Sequence, residues 1–246
     1  MFTSSTNEIY LSIPPITRSD LNNHLWPKIF LICLPKPRLH AKLPTMIEDR
    51  GVVAGNVVDK YRSHNPIMRL LMNNFLRTVS NLYLELPVHT VLEIGCGEGD
   101  LIAHLQKLRP ADFVGTDFSP RILEMAQKRY PDFHFQAQSA VSLAFTDASF
   151  DLVVACEVLE HLPDPKAALC EIARVTRQYA ILSVPHEPIW RVLNMARFAY
   201  LKDFGNTPGH LQHWNAEGFV RFVSSAMRVR KILSPFPWTM LVAEVT

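Results

Sequence analysis

Val91-Leu92-Glu93-Ile94-Gly95-Cys96-Gly97-Glu98-Gly99 decides the fold. A short apolar run interrupted by one acid runs straight into a turn that holds three of the chain's nine glycines within five residues, and a helical pattern over 99–108 follows. That is a strand-to-helix unit. A turn this lean in side chains lets the backbone approach a ligand closely, at the place where open α/β sheets bind ligands. A nucleotide-type cofactor is therefore expected. The third glycine comes one residue too early for GxGxxG, and Glu93 stands two residues before the first glycine; both features weigh against a dinucleotide and a nicotinamide dehydrogenase.

Outward from this unit the chain alternates. Apolar strand-like runs lie at 90–94, 112–116, 133–137, 150–155 and 179–184, with helical segments at 99–108, 120–128, 165–176 and 187–201, and a longer helical pattern precedes them over 65–86. Continuous apolar strands alternating with helices predict an α/β, Rossmann-like, doubly wound sheet covered on both faces. Two more strand candidates, 228–233 and 239–245, have no helix between them. They predict a C-terminal antiparallel hairpin that completes a seven-stranded, mainly parallel sheet.

The second strand ends at Gly115-Thr116-Asp117, after which Ser119-Pro120 supplies an N-cap and a first-turn proline. Asp117 lies 22 positions after Gly95, where a carboxylate can accept hydrogen bonds from both ribose hydroxyls. Taken singly, the glycines also suit a plain tight turn and Asp117 a helix-start carboxylate; their order after successive strands favours the cofactor reading. The run from Glu93 to Gly99, then Asp117, then Phe150-Asp151-Leu152-Val153-Val154-Ala155-Cys156-Glu157-Val158-Leu159-Glu160-His161-Leu162 resembles the class I S-adenosylmethionine-dependent methyltransferases. The resemblance spans residues 46–246 and is specific for cofactor rather than acceptor. It implies that Glu93 orients the loop and the methionyl amino group, and that Gly95, Cys96, Gly97 and Gly99 pass the methionyl and ribose parts. It further implies that Asp117 holds the ribose diol, Phe118 stacks beside adenine, and Cys156 lies near the methionine end. Where many members carry an aspartate for the adenine amino group, this chain reads Gln138-Ser139-Ala140. Ser139 offers a single hydrogen bond there, with Ala140 beside it.

Methyl transfer from a sulfonium requires alignment, and removal of a proton when the acceptor is a hydroxyl. His186 and His161, each following a strand, are the candidate bases, with His186 ahead; His210 and His213 are further candidates, and any one of the four also suits a structural role. Glu157, Glu160 and His161 share one face if their segment is helical, and resemble the Glu-x-x-Glu-His array of ubiquinone-biosynthesis O-methyltransferases. A hard divalent ion is thus a candidate cofactor, although similar stretches occur in metal-free relatives, and no metal ligand is assigned. The segment 188–202 carries Arg191, Asn194 and Arg197 as a narrow polar stripe in an otherwise apolar helix. It reads as a core helix or as an apolar lid over an aromatic or isoprenoid-like acceptor.

The rest of the chain narrows the class. The 246 residues are 48% apolar with a net charge of +2, enough to build a core and too neutral to predict a nucleic-acid partner. Residues 1–45 hold six of 18 prolines, no glycine, and five basic residues against Glu8 and Asp20, and read as a poorly ordered basic tail ahead of a domain over 46–246. Their apolar run, 29–34, is far too short for a membrane span or a secretory signal. Cys33, Cys96, Cys156 and Cys170 form no CxxC pair, so a reduced, cytoplasmic location is expected, with Cys96 and Cys156 as packing residues. Arg228, Arg230 and Lys231 suit a solvated strand face better than a phosphate stripe. The expected activity is methyl transfer from S-adenosylmethionine to oxygen of an apolar or aromatic small molecule, the alternative being a non-catalytic cofactor-binding or scaffold protein. Oligomeric state is left open.

Overall fold

Asn65 and Pro66 start the first long helix for physical reasons visible in the chain. In the computed structural model, which describes residues 47–49 and 52–54 by backbone alone and 64–196, 198 and 200–245 in full, the Asn65 carboxamide accepts from the amides of Ile67 and Met68. Helix α1 (Pro66–Glu85) then runs until Leu86 turns extended ahead of Pro87. The tail at 1–45, the domain start near 46 and Arg197 lie outside the described residues. Strands β1 (Ile47–Asp49) and β2 (Val52–Ala54) form a small antiparallel pair that the sequence pattern did not announce.

The main sheet is built from β3 (Thr90–Ile94), β4 (Asp112–Asp117), β5 (His134–Ala137), β6 (Phe150–Cys156), β7 (Thr176–Pro185), β8 (Arg228–Leu233) and β9 (Trp238–Glu244), in the order β5-β4-β3-β6-β7-β9-β8. The five strands β3 to β7 pair in parallel, and β9 pairs antiparallel with both β7 and β8. This is the expected seven-stranded sheet with its closing hairpin. Helices α2 (Asp100–Leu108), α3 (Pro120–Arg129) and α4 (Pro165–Val175) connect successive strands, and α5 (Ile189–Ala196) and α6 (Ala216–Val223) lie between β7 and β8.

Alternating strand residues feed two cores. Val91, Leu152, Val154, Ile181, Met240 and Val242 pack with Phe75, Val79 and Tyr83 of α1 and Ile102 of α2. Leu92, Ile94, Val153, Ala155, Leu182 and Leu241 pack with Leu169 and Ile172 of α4 and Phe219 of α6. Burial on both faces is why these strands are continuously apolar. At the sheet edge Arg228 and Arg230 pair with Glu244, and Lys231 pairs with Glu85, so the basic stripe of β8 is a charged edge strand. Among the described residues, no helix is long and apolar enough to cross a membrane.

Two helical expectations need correction. Among the described residues of 187–201, the α-helix spans Ile189–Ala196, because Phe198 and Tyr200 take left-handed backbone angles that no helix accepts. Nor is it a core helix, since Asn194 is its only buried residue. Likewise Glu157, Glu160 and His161 do not share a helical face: Glu157 has φ +62°, and only a single 3-10 turn, Leu159–His161, follows it.

Candidate functional site

The order of strands changes direction between β3 and β6, and the glycine loop lies at the C-terminal end of β3 in that crevice. Gly95, Gly97 and Gly99 all have positive φ, which a side chain would resist. A Cβ on Gly95 would lie 2.5 Å from Val158 Cγ2, whereas one on Gly97 would meet nothing within 4 Å. The loop is therefore packed from below at Gly95 and open at Gly97. Cys96 is buried beneath it, its amide donating to Thr116 O at 2.9 Å.

Asp117 closes the other side. Its Oδ2 accepts from Gly97 N at 3.1 Å and its Oδ1 from Ser119 N at 3.0 Å, so one carboxylate joins the loop to the start of α3. Burial raises its pKa, and these amide hydrogen bonds work against the rise. Glu93, buried one strand away, has its pKa pushed well up by burial, although it accepts from the Ile102 amide. Its Oε2 meets no hydrogen-bond partner among the described residues. An acceptor oxygen left dry and unpaired is costly, and a ligand ammonium removes that cost. The residues present thus fit S-adenosylmethionine at two points, the orphan oxygen of Glu93 and the open cradle at Gly97.

The remaining residues of the cofactor set are more loosely placed. Phe118 is half-buried beside Asp117, and Ala140 is half-buried past β5. Ser139 is exposed, with its hydroxyl accepting from Val141 N at 3.4 Å, so that hydroxyl helps shape its own turn. Cys156 ends β6 with its thiol pushed far up by burial, and Cys96 is raised likewise, so both are inert packing groups.

Around the candidate histidines the structure assembles an aromatic cluster from distant parts of the chain. His161 and His210 meet edge to face with ring centroids 4.8 Å apart; Trp190 stacks on His210 at 6.3 Å and lies 5.8 Å from Trp238. The Trp238 indole donates to Glu157 Oε2 at 2.7 Å. Thr207 accepts from Trp190 Nε1 at 2.8 Å, and the carbonyl of Glu160 accepts from the amides of Leu211 and Gln212, so the segment carrying His210 is strapped across this cluster. Trp238 and Thr207 carried no signal in the sequence, because their roles come from pairings across long chain separations.

His161 Nδ1 lies 3.0 Å from Gly209 O, and since a carbonyl can only accept, Nδ1 carries the proton and Nε2 is the basic nitrogen. His186 Nδ1 is 2.9 Å from Thr239 Oγ1, and burial lowers its pKa, favouring the neutral ring. His213 is bonded to Asn206 Oδ1 instead, outside the aromatic cluster. Donor atoms of Glu160, His161 and His210 lie within 4.8 Å of one another, so a divalent ion bound here would find His210 and not Glu157 as its third donor.

Comparison with known proteins agrees with this geometry. Residues 92–184 match the family described as a methyltransferase domain. The O-methyltransferase cnsE of Penicillium expansum is 38% identical over 93 residues, 35% of this chain and 34% of that protein. The demethylmenaquinone methyltransferase of Chlorobaculum parvum is 28% identical over 152 residues, 58% of this chain and 63% of that protein. The chain therefore spans less than two thirds of the length of either relative. Among solved structures, magnesium protoporphyrin IX methyltransferase from Synechocystis PCC 6803 with bound SAH superposes with a TM-score of 0.58, covering 76% of this chain and 94% of that one at 18% identity, a likeness of fold. With the sheet order, these matches show that residues 92–184 are similar to a methyltransferase domain, set in a sheet of the fold found in methyltransferases of known structure.

Proposed function

We propose that the protein transfers the methyl group of S-adenosylmethionine to an oxygen of an apolar or aromatic small molecule. The observation that carries the reading is the unpartnered, buried Glu93 oxygen beside a glycine loop tied to Asp117. When bound, the cofactor supplies an electrophilic methyl on a sulfonium. Glu93 receives the ammonium, the Gly95–Gly99 backbone passes the chain of the methionyl group, and Asp117 accepts from the ribose. Phe118 and the Ser139-Ala140 turn border the base. The likeness to relatives that are an O-methyltransferase and a demethylmenaquinone methyltransferase supports an apolar or aromatic acceptor, and half-buried Trp190, backed by buried Trp238 and His210, is the aromatic group beside the candidate histidines.

His186 and His161 are the bases in this reading. Each has one ring nitrogen held by a fixed partner, which orients the other toward the acceptor's proton. Among the described residues, Glu160, His161 and His210 are the group that could hold a divalent ion, which would polarise the acceptor oxygen; transfer that persists in excess EDTA removes it from the scheme. A cytoplasmic location goes with free thiols at Cys96, Cys156 and Cys170.

Calorimetric titration with S-adenosylmethionine and its demethylated product, NADH as control, tests the cofactor half. Binding that Asp117→Ala weakens at least ~10-fold, about 1.4 kcal/mol, is expected. A folded protein that binds neither ligand would hand the reading to a non-catalytic scaffold. Product formation across a panel of phenols and hydroquinones then tests the acceptor half.

A further inference from the structure

Glu187 is a buried carboxyl to which the proposed chemistry gives no task. It directly follows His186 beyond the carboxyl end of β7 and is 8% exposed. Its amide donates to Trp214 O at 2.9 Å, and its Oε2 accepts from the Arg191 amide at a long 3.4 Å. Oε1 is buried and meets no hydrogen-bond partner among the described residues. The cation one turn on is committed elsewhere, since the Arg191 guanidinium donates to Phe204 O at 3.1 Å and Asp203 O at 3.5 Å. Burial raises the pKa of Glu187, with the Arg191 amide and charge working against the rise.

Left so, the group costs stability. A buried oxygen without a donor forfeits its water and gains nothing in return, and an apolar side chain of similar volume in its place is often neutral or stabilising. Groups of this kind persist where activity needs them. The surroundings indicate the task. The carbonyls of His186 and Pro188 accept from the amides of Trp190 and Val192, so helical turns begin at His186 and Trp190 stands three positions from Glu187 on the same side. Trp190 is half-buried, stacks on His210 and lies 5.8 Å from Trp238. Along the chain the carboxyl therefore stands between the candidate base His186 and the aromatic cluster. Its one side-chain bond, to the Arg191 amide, is long enough to let the carboxyl turn Oε1 toward a ligand held there.

We propose that Glu187 is a specificity-determining residue of the acceptor site, whose Oε1 accepts a hydrogen bond from a second donor on the acceptor, a hydroxyl or an amine other than the hydroxyl that is methylated. An ionised carboxylate has lone pairs and no proton to give, so the group it takes must carry an O–H or N–H. An acceptor without that second donor leaves the oxygen stranded, and a site built around a buried polar contact rejects such an analogue far more strongly than an apolar pocket rejects a change of shape. The inference rests on the function proposed above, methyl transfer to a hydroxyl of an aromatic acceptor, and narrows the acceptor to molecules with two donors.

The test is calorimetry of the full chain, saturated with S-adenosylhomocysteine, against 1-naphthol and against the dihydroxynaphthalene and aminonaphthol isomers, in the unsubstituted protein, Glu187→Leu and Glu187→Gln. The unsubstituted protein is expected to bind at least one two-donor probe ~10-fold or more tightly than 1-naphthol, and the arm that wins tells hydroxyl from amine. Glu187→Leu should abolish that preference, leave 1-naphthol affinity as it was, and melt no lower than the unsubstituted protein, as befits the loss of an unsatisfied oxygen. Glu187→Gln keeps the shape and the Arg191 contact, which guards against a Leu variant that does not fold; its amide oxygen, a weaker acceptor, should lose most of the preference. Equal weakening of 1-naphthol and the two-donor probes would make Glu187 a structural cap and overturn the proposal. So would full preference in Glu187→Gln, or an unsubstituted protein with no preference among the probes, including one that binds none. S-adenosylhomocysteine affinity is measured first on the same samples and should be unchanged by either variant. If the unsubstituted protein does not bind it, the cofactor reading fails, and the naphthols are titrated without it, so that the two failures are separate results.

Discussion

Gly95 and Gly97 stand two residues apart and answer to different demands. Both have positive φ, so a methyl group on either costs about 1–2 kcal/mol in backbone energy. At Gly95 the added methyl also drives into Val158, a stiff β-branched side chain 2.5 Å away; at Gly97 it projects into open space. Gly97→Ala is therefore expected to lower the melting temperature by a few degrees at most while weakening S-adenosylmethionine binding at least ~10-fold, because the methyl fills the cradle. Gly95→Ala should lose more stability than Gly97→Ala, since the loop and Val158 must part. Thermal melts paired with calorimetry read both. Wild-type cofactor affinity in Gly97→Ala would put the ligand somewhere other than this loop. These two glycines, Glu93 and Asp117 were legible in the sequence because their spacing follows from one strand, one turn and the next strand. Ser139 was less so, since whether its hydroxyl faces a ligand or its own turn depends on local geometry that residue identity does not encode.

At the scale of elements, the segment that carries His210 hangs on Thr207, whose hydroxyl oxygen receives both Trp190 Nε1 and Asn194 Nδ2. Thr207→Val keeps the shape and removes both acceptor contacts, leaving two donors to find other partners at about 1–3 kcal/mol each where they stay buried. The loss should be local. Amide exchange across 205–214 is expected to quicken at least ~10-fold while the global melting temperature moves little, as befits a segment held by few apolar contacts. A uniform drop in protection across the sheet would show instead that the strap is part of the cooperative core. The sequence made the strands and most helices readable because their apolar periods are long. It misled at α5, where the apolar pattern runs on past Ala196 but Phe198 and Tyr200 adopt left-handed angles that glycine usually marks. It was silent on α6, a short helix over 216–223 containing Gly218 and two valines, which Asn215 caps through Gly218 N and whose Phe219 and Val223 are buried. The aromatic cluster was only half readable, for the histidines were visible as chemistry, but Trp238 reaches Glu157 from 81 residues away.

For the whole molecule, the two ends of the sheet carry opposite electrostatics. At the glycine-loop end Glu93 and Asp117 are raised by burial, so their charged forms oppose folding. At the other end Asp151 is also buried, which pushes its carboxyl up, but the amides of His89 and Thr90 and the Arg177 guanidinium more than offset this and hold it down at about 2. One carboxylate there joins the start of β3, the start of β6 and the second residue of β7. A carboxylate whose pKa is lower folded than unfolded contributes stability that is complete above its unfolded pKa and is lost as pH falls toward the folded one. With an unfolded value near 3.8 and a folded one of about 2, the contribution of Asp151 is about 2 kcal/mol at neutral pH and disappears between roughly pH 4 and pH 2. Asp151→Asn should accordingly unfold in less urea than the unsubstituted protein at pH 7, and the difference should narrow as pH is lowered through this window. Urea midpoints taken at intervals from pH 7 downward measure it. A gap that stays constant with pH would mean that the loss comes from packing or from unpaired His89 and Thr90 amides, and that the Asp151–Arg177 charge pair contributes little to holding β3, β6 and β7 together.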